Sequence, residues 1–263
     1  MCYKNYLKIF VYYVFLTNIF FCNNLFAEII YVGGYHFPPF VEVKKDSVGG
    51  LTTLFIKEMN LFQKKHQFKF ILTSPTRRYY DFDHNVFDLI MFEDINWGWK
   101  NKDIVASDVY MKGGEVYITK ADPKKDQLYF NSFKNKNIAI IKGFHYGFAN
   151  FNANESYLRD NFKVQFSSYH KGNILKVLFG RADISVVNLC YLKHFFLDHP
   201  DKKEQILVSD KLDQEYNHTI LVRKKSSISI KEINSMLTKM KNAGIMPCLW
   251  HNYLVETGGS NDS

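Results

Sequence analysis

Five short, almost unbroken apolar runs recur along the chain: Glu28–Val32 (EIIYV), Phe68–Thr73 (FKFILT), Phe87–Phe92 (FDLIMF), Asn137–Ile141 (NIAII) and Ala182–Val187 (ADISVV). A strand with one face in water alternates apolar and polar residues, so runs of this kind describe strands covered on both faces, as in a parallel sheet flanked by helices. Helical periods fill the intervals. Leu51, Phe55, Met59 and Phe62 recur every three or four residues behind Gly49 and Gly50, and Ile174, Val177 and Leu178 do so ahead of Gly180. Ile230, Ile233, Met236, Leu237 and Met240 form a third apolar stripe, which Gly244 ends, and Pro247 restarts a short final segment. The pattern predicts an α/β fold, and the polar break Thr119–Gln127 (TKADPKKDQ) is where a second lobe would begin.

The first 27 residues have a different character. Lys4 and Lys8 precede the apolar run Ile9–Cys22, and Ala27 supplies the small residue that signal peptidase requires, so residues 1–27 read as a cleaved secretory signal. The run is shorter than the roughly 20 residues that span a bilayer. Cys22 follows IFF rather than a small residue, which argues against a lipid-modified cysteine. The expected product is exported, begins near Glu28, and carries Cys190 and Cys248 into an oxidising compartment. A bridge needs Cα atoms within about 7 Å, and separate thiols are the reading that a two-lobed layout favours.

A chain of 263 residues that is 46% hydrophobic and 23% charged can bury one or two sizeable cores. Its 24 Phe and 17 Tyr are many for an exported protein and predict that some rings line a pocket. The formal net charge of +8 arises from lysines scattered in pairs, among them Lys44 and Lys45, and Lys124 and Lys125. Without a continuous basic stripe they read as a solvated surface, and no nucleic-acid partner is expected. No Gly-x-Ser-x-Gly elbow, His-Glu-x-x-His helix, P-loop or dinucleotide glycine fingerprint occurs. His194 and His199 are five apart, the wrong interval for paired helical metal ligands. Neither a metal, a cofactor nor catalysis is expected.

In their order and spacing these motifs resemble the extracytoplasmic solute-binding proteins of ABC importers, the amino-acid-type family, over essentially the whole chain after residue 27. The segment IIYVGGYHFPPFV resembles the family's opening strand and Pro-Pro-Phe turn, and GGLTTLFIKEM its first helix. VFDLIMF and DIVASDVYMKGGEVYITK are similar to the strand that closes the first sub-motif and to the crossover leaving the first lobe. KNKNIAIIKGFHYGF, GNILKVLFGRADISVVN and NHTILVRKK resemble the opening of the second lobe, its late helix and strand, and the return to lobe one. The resemblance implies a two-lobed type II periplasmic-binding-protein fold with a ligand cleft between lobes. It places lobe one at 28–117 and 219–263, lobe two at 118–218, and crossovers near 115–120 and 217–223.

A buried zwitterion needs a cation or N–H groups for its carboxylate, a carboxylate for its ammonium, and apolar walls for the rest. By resemblance the carboxylate-gripping arginine falls at Lys100, which lacks the planar fork, and the ammonium-binding acid falls at Asn188, a neutral acceptor. Arg77 and Arg78 follow a strand end, and one of them is the leading substitute for the fork, with a solvated helix start as the competing reading. Glu93 and Asp94 sit just past a strand and either meet a cation or are ordinary loop acids. Trp97 and Trp99, flanking Gly98, are read as pocket wall. Tyr35 and Phe40 are family-like wall positions or core residues. Phe144, His145 and Tyr146 either narrow the pocket and stack on a flat ligand or pack beneath their turn. Asp213 and Tyr216 stand near the return crossover, where a surface turn is the simpler reading. The expected protein is a monomeric binder that delivers a small polar solute to an importer permease. The alternatives are a ligand-sensing protein acting through a separate receptor, or an enzyme on the same fold.

Overall fold

The computed structural model describes residues 27–254. The expected leader, apart from Ala27, lies outside the described residues. Strands β1 (Glu28–Gly34), β4 (His66–Leu72) and β5 (Leu89–Glu93) pair in parallel, with Ile30 opposite Phe68 and Val32 opposite Leu89. A second parallel set contains β8 (Asn137–Ile141), β9 (Lys163–Ser167) and β10 (Ile184–Asn188). The apolar runs are buried as their composition requires: Leu89 through Glu93 and Ile184 through Asn188 are buried at every position.

Two long strands join the sets. β7 (Met111–Lys120) runs antiparallel to β11 (Ile206–Arg223) from Ile206 opposite Lys120 to His218 opposite Met111. The far end of β11 pairs with β5 and with the short β6 (Ile104–Ala106), and β7 pairs with β10. One sheet of order β4-β1-β5-β11-β7-β10-β8-β9 thus runs through both halves among the described residues, with β6 on β11 and a separate hairpin of β2 (Glu42–Lys44) and β3 (Ser47–Gly49). The ribbon is the physical connection between lobes. Its register breaks between Val208 and Leu212, where Ser209 Oγ accepts the Tyr117 backbone N–H at 2.9 Å, so the bulge leaves that buried donor satisfied.

Helices cover the sheet. In the first lobe α1 (Leu51–Phe62) buries Leu51, Phe55 and Met59, and α2 (Arg78–Asp83) is short. The second lobe carries α3 (Glu155–Asn161), α4 (His170–Leu178) and α5 (Leu189–Asp198). After the return crossover, α6 (Ile230–Asn242) begins with a reciprocal capping box between Ser229 and Glu232 and buries Ile233, Met236, Leu237 and Met240 against lobe one. α7 (Ile245–Leu254) follows Gly244, whose φ of 73° suits the turn between the two helices. Cys190 is a buried thiol, and no disulfide joins it to Cys248. No described helix is long and apolar enough to cross a membrane.

Candidate functional site

Strand ends and ribbon converge where the lobes meet. Tyr35 and Phe37 come from the loop after β1, Arg78 from the start of α2, and Trp97 from the loop after β5. Phe144 and His145 face them from the turn after β8, and Glu115 and Gln214 from the two ribbon strands. These eight residues enclose about 10 Å³, roughly the least space that admits one water molecule. The lobes therefore meet through their own side chains: the Phe37 ring lies 5.5 Å edge-on from Phe144, and Tyr79 lies 6.3 Å from His145.

Arg78 is the centre of the first-lobe half. Its guanidinium lies between the rings of Tyr35 and Tyr79, at 4.6 and 4.5 Å, a cation–π arrangement strengthened by desolvation. One terminal nitrogen donates to Pro75 O and, across the junction at 3.4 Å, to Gly143 O. Nε faces Glu93 Oε1 at 3.6 Å, an ion pair too long to be a hydrogen bond, and neither atom has a hydrogen-bonding partner. The other Glu93 oxygen accepts from Trp99 Nε1 at 2.6 Å. Burial raises the Glu93 carboxyl above its ordinary range, against the pull of Arg78 and of the hydrogen bond from Trp99. Phe92, just before it, has a φ of 56°, costly for a bulky residue. The Tyr110 hydroxyl, accepting from Phe92 N at 2.8 Å, and the Phe40 ring, stacked at 4.7 Å, hold it there.

The second half is a polar chain. Trp97 Nε1 donates to Gln214 Oε1 at 2.9 Å, and Gln214 Nε2 donates to Glu115 Oε2 at 2.8 Å and to His145 O at 2.5 Å. Burial, with Asp213 nearby, pushes Glu115 up to about 8, so it is mostly protonated at neutral pH. Burial and then Arg78 push His145 down to about 3, so it is neutral. The turn after β8 offers the N–H groups of Gly147 and Phe148 to an anion, but the anion is Asp213, at 2.7 and 2.8 Å, with the Tyr117 hydroxyl donating to it at 2.6 Å. Gly147 is required by this contact, because a Cβ there would overlap the Asp213 carbonyl oxygen. Gly147→Ala is expected to cost about 2 kcal/mol or more, as overpacking does, measured by urea unfolding; a cost below about 0.5 kcal/mol would show that the ribbon yields.

The expected site residues fall in three groups. Tyr35, Trp97 and His145 line the junction, and Glu93 faces Arg78 beneath it. Phe40, Trp99, Tyr146 and Asn188 are buried around it: Tyr146 lies under its turn and accepts from Ile141 N, while Asn188 caps α5 and donates to the Tyr216 hydroxyl. Arg77 and Lys100 stand outside. Arg77 has a 68% exposed side chain paired with Asp81 at 2.9 Å, and Lys100 is exposed on its loop. Of the two adjacent arginines, Arg78 is the one in the cleft. Sequence reading missed Phe37, Glu115 and Gln214. A lone acid inside the apolar strand GGEVYIT was a visible signal for Glu115, since a charge there is buried by the strand on either face. Among the described residues no cluster of three His, Cys, Asp or Glu side chains could hold a metal.

This architecture is the two-lobed type II periplasmic-binding-protein fold, an α/β fold whose ligand cleft lies between lobes joined by two crossover strands. Solved structures that share it include arginine-binding proteins and the substrate binding protein of an amino acid ABC transporter. A mutant of ArgBP from T. maritima is 20% identical, covers 87% of this chain and 96% of its own, and superposes with a TM-score of 0.66. An arginine 3rd transport system periplasmic binding protein from Legionella pneumophila is 20% identical, with 86% and 100% covered and a TM-score of 0.65. The ancestral amino acid-binding protein AncCDT-1, a precursor of cyclohexadienyl dehydratase, is 18% identical, with 86% and 95% covered and a TM-score of 0.63. No protein-family model matches the sequence, and no curated protein matches it.

Proposed function

We propose that this is an exported, periplasmic solute-binding protein that captures an amino acid or a related small polar solute between its lobes and delivers it to an ABC importer permease. Lobe one, at 28–117 and 219–263, and lobe two, at 118–218, part to admit the solute and close on it. The observation that carries the reading is the burial of Arg78, Glu93 and Glu115 together where the lobes meet, with Arg78 Nε and Glu93 Oε1 paired at 3.6 Å but without a hydrogen bond. Burying such groups is unfavourable for a protein that only has to fold, and it is what a site for opposite charges requires. In the opened cleft Arg78 meets the carboxylate and the acids meet the ammonium, while Tyr35, Phe37, Trp97 and Phe144 enclose the remainder. Lys100 takes no part in this grip.

A thermal-shift screen of the protein against amino acids, small carboxylates, nucleosides and sugars tests it. A ligand at a hundred times its Kd adds about 2.7 kcal/mol, and at roughly 2 to 4 °C per kcal/mol for a protein of this size the shift is easily read. One or a few amino acids are expected to raise the midpoint. A folded, ligand-stripped sample that no amino acid stabilises would remove the proposal.

A further inference from the structure

Phe144 belongs to the second lobe, yet its ring packs against the first. It stands edge-on to Tyr35 at 6.0 Å and to Phe37 at 5.5 Å, and on its own side it meets His170 at 5.9 Å. The ring is 6% exposed, and Tyr35 and Phe37 are 5% and 4% exposed. Edge-to-face pairs at these separations attract beyond the apolar area that they bury.

The turn that carries Phe144 is fitted to the first lobe on either side of the ring. A Cβ on Gly143 would lie 2.7 Å from Thr76 Cγ2 and 3.1 Å from the Pro75 carbonyl carbon, so the second-lobe backbone rests directly on the loop before α2. Gly143 O accepts from Arg78 at 3.4 Å, and the next ring, His145, stands edge-on to Tyr79 at 6.3 Å. Farther out, Tyr169 meets His36 edge-on at 4.9 Å. With the Phe144 ring in place the junction retains about 10 Å³, roughly one water molecule. A solute of amino-acid size cannot share that space with it.

We propose that Phe144 is an autoinhibitory plug: its ring seats against Tyr35 and Phe37, holds the lobes together by itself, and has to leave before a solute enters. The contacts that close the lobes are all made by the chain's own side chains, so closure is a resting state of this protein and opening is the step that admits the solute. The apparent affinity for any solute is then lowered by the fraction of molecules that are shut. Once displaced, the same ring becomes a wall of the opened cleft. The closure itself rests on no assumption about what the solute is.

Lobe separation in the full chain, with no solute added, tests this. Lys44 and Lys171 are exposed and face each other's lobes across the outer groove, so spin labels at Lys44→Cys and Lys171→Cys, with Cys248→Ser and the buried Cys190 retained, report it by pulsed electron paramagnetic resonance. One dominant population is expected, at the separation of the structure. Phe144→Ala should raise the ratio of open to closed molecules at least tenfold, and Phe144→Leu, which keeps an apolar side chain in the socket, should give a smaller rise and remain folded. Phe179→Ala, which removes a 70% exposed ring of the same lobe, should leave the distribution unchanged. A wild type that is mainly open overturns the proposal. So does a distribution that neither Phe144 variant shifts, or an opening that Phe179→Ala produces equally. Because no solute is present, failure of every amino acid in the thermal-shift screen would remove the binding reading and leave this result to stand or fall alone.

Discussion

Acidification from pH 7 to pH 5 is expected to destabilise the protein by up to roughly 3 kcal/mol, the net of a larger loss at three buried histidines and an opposing gain at buried acids. His145, His170 and His218 are each pushed down to about 3, by burial first in every case. His170 and His218 have no hydrogen-bonding partner at either nitrogen, which agrees with neutral rings in apolar surroundings. In the unfolded chain a histidine titrates near 6.5. Between that value and about 3 the unfolded state holds a proton at each of the three positions that the folded state refuses, so stability falls as pH falls through this window. Each ring contributes about 2 kcal/mol of that loss between pH 7 and pH 5.

Glu115 opposes them. Its folded value of about 8 lies above the ordinary carboxylate range, so the folded state is the one that holds the proton between about 8 and 4.5. Acidification through that window stabilises the protein, by roughly 2.5 kcal/mol between pH 7 and pH 5, and Glu93 and Asp213, both raised by burial, act in the same sense. Three rings against these acids leave a net loss. Below about pH 4.5 the unfolded acids protonate too and the opposition ends. There Glu232, held down to about 2 chiefly by Lys65, adds its own loss, and the decline steepens. Urea unfolding at pH 7, 6, 5 and 4 measures this directly, with His218→Gln reducing the pH dependence by one ring's share. Stability that is flat or rising from pH 7 to pH 5 would mean that these rings take up protons in the fold and find acceptors there.

The fold was more legible than the site, for a physical reason. A strand covered on both faces must be apolar throughout, so the run Asn137–Ile141 coincides with β8, and the other runs lie within two residues of their strands. The stripe from Ile230 to Met240 coincides with the buried face of α6, and its Ser229 cap is local chemistry. The segment DQEYNH gave no such signal and reads as a surface turn, yet it lies inside the 18-residue β11. It runs between lobes with β7 as partner, so its polar side chains are retained for the junction: Asp213 for two backbone N–H groups, Gln214 for Glu115 and Trp97. Arg77 and Arg78 show the same limit at one residue's scale. Both follow the same strand, and only their angular placement at the start of a six-residue helix, Arg77 at its N-cap and Arg78 as its first residue, puts one in solvent and the other between two tyrosine rings. That angle depends on where α2 begins, which local composition does not determine.

Removing the Arg78 charge is expected to be the most damaging single change in the junction. Arg78→Met keeps an apolar side chain of similar length between Tyr35 and Tyr79 but leaves Glu93, fully buried, without its cation. Breaking a buried pair from one side costs about 3 to 5 kcal/mol, because the remaining charge is uncompensated. The cost should be smaller at pH 6 than at pH 8, since a Glu93 already raised by burial escapes by taking a proton once Arg78 no longer opposes it. Glu93→Gln added to Arg78→Met removes the orphaned charge and keeps an acceptor for Trp99 Nε1, so at least half of the lost stability should return. The two roles assigned to Arg78 then separate. The double variant should fold and still fail to be stabilised by any amino acid that stabilises the wild type, because the group that grips the carboxylate is gone. A double variant that recovers both stability and the ligand-induced shift would make Arg78 a packing residue only. An Arg78→Met single variant within about 1 kcal/mol of wild type at pH 8 would show that Glu93 was never charged in the fold.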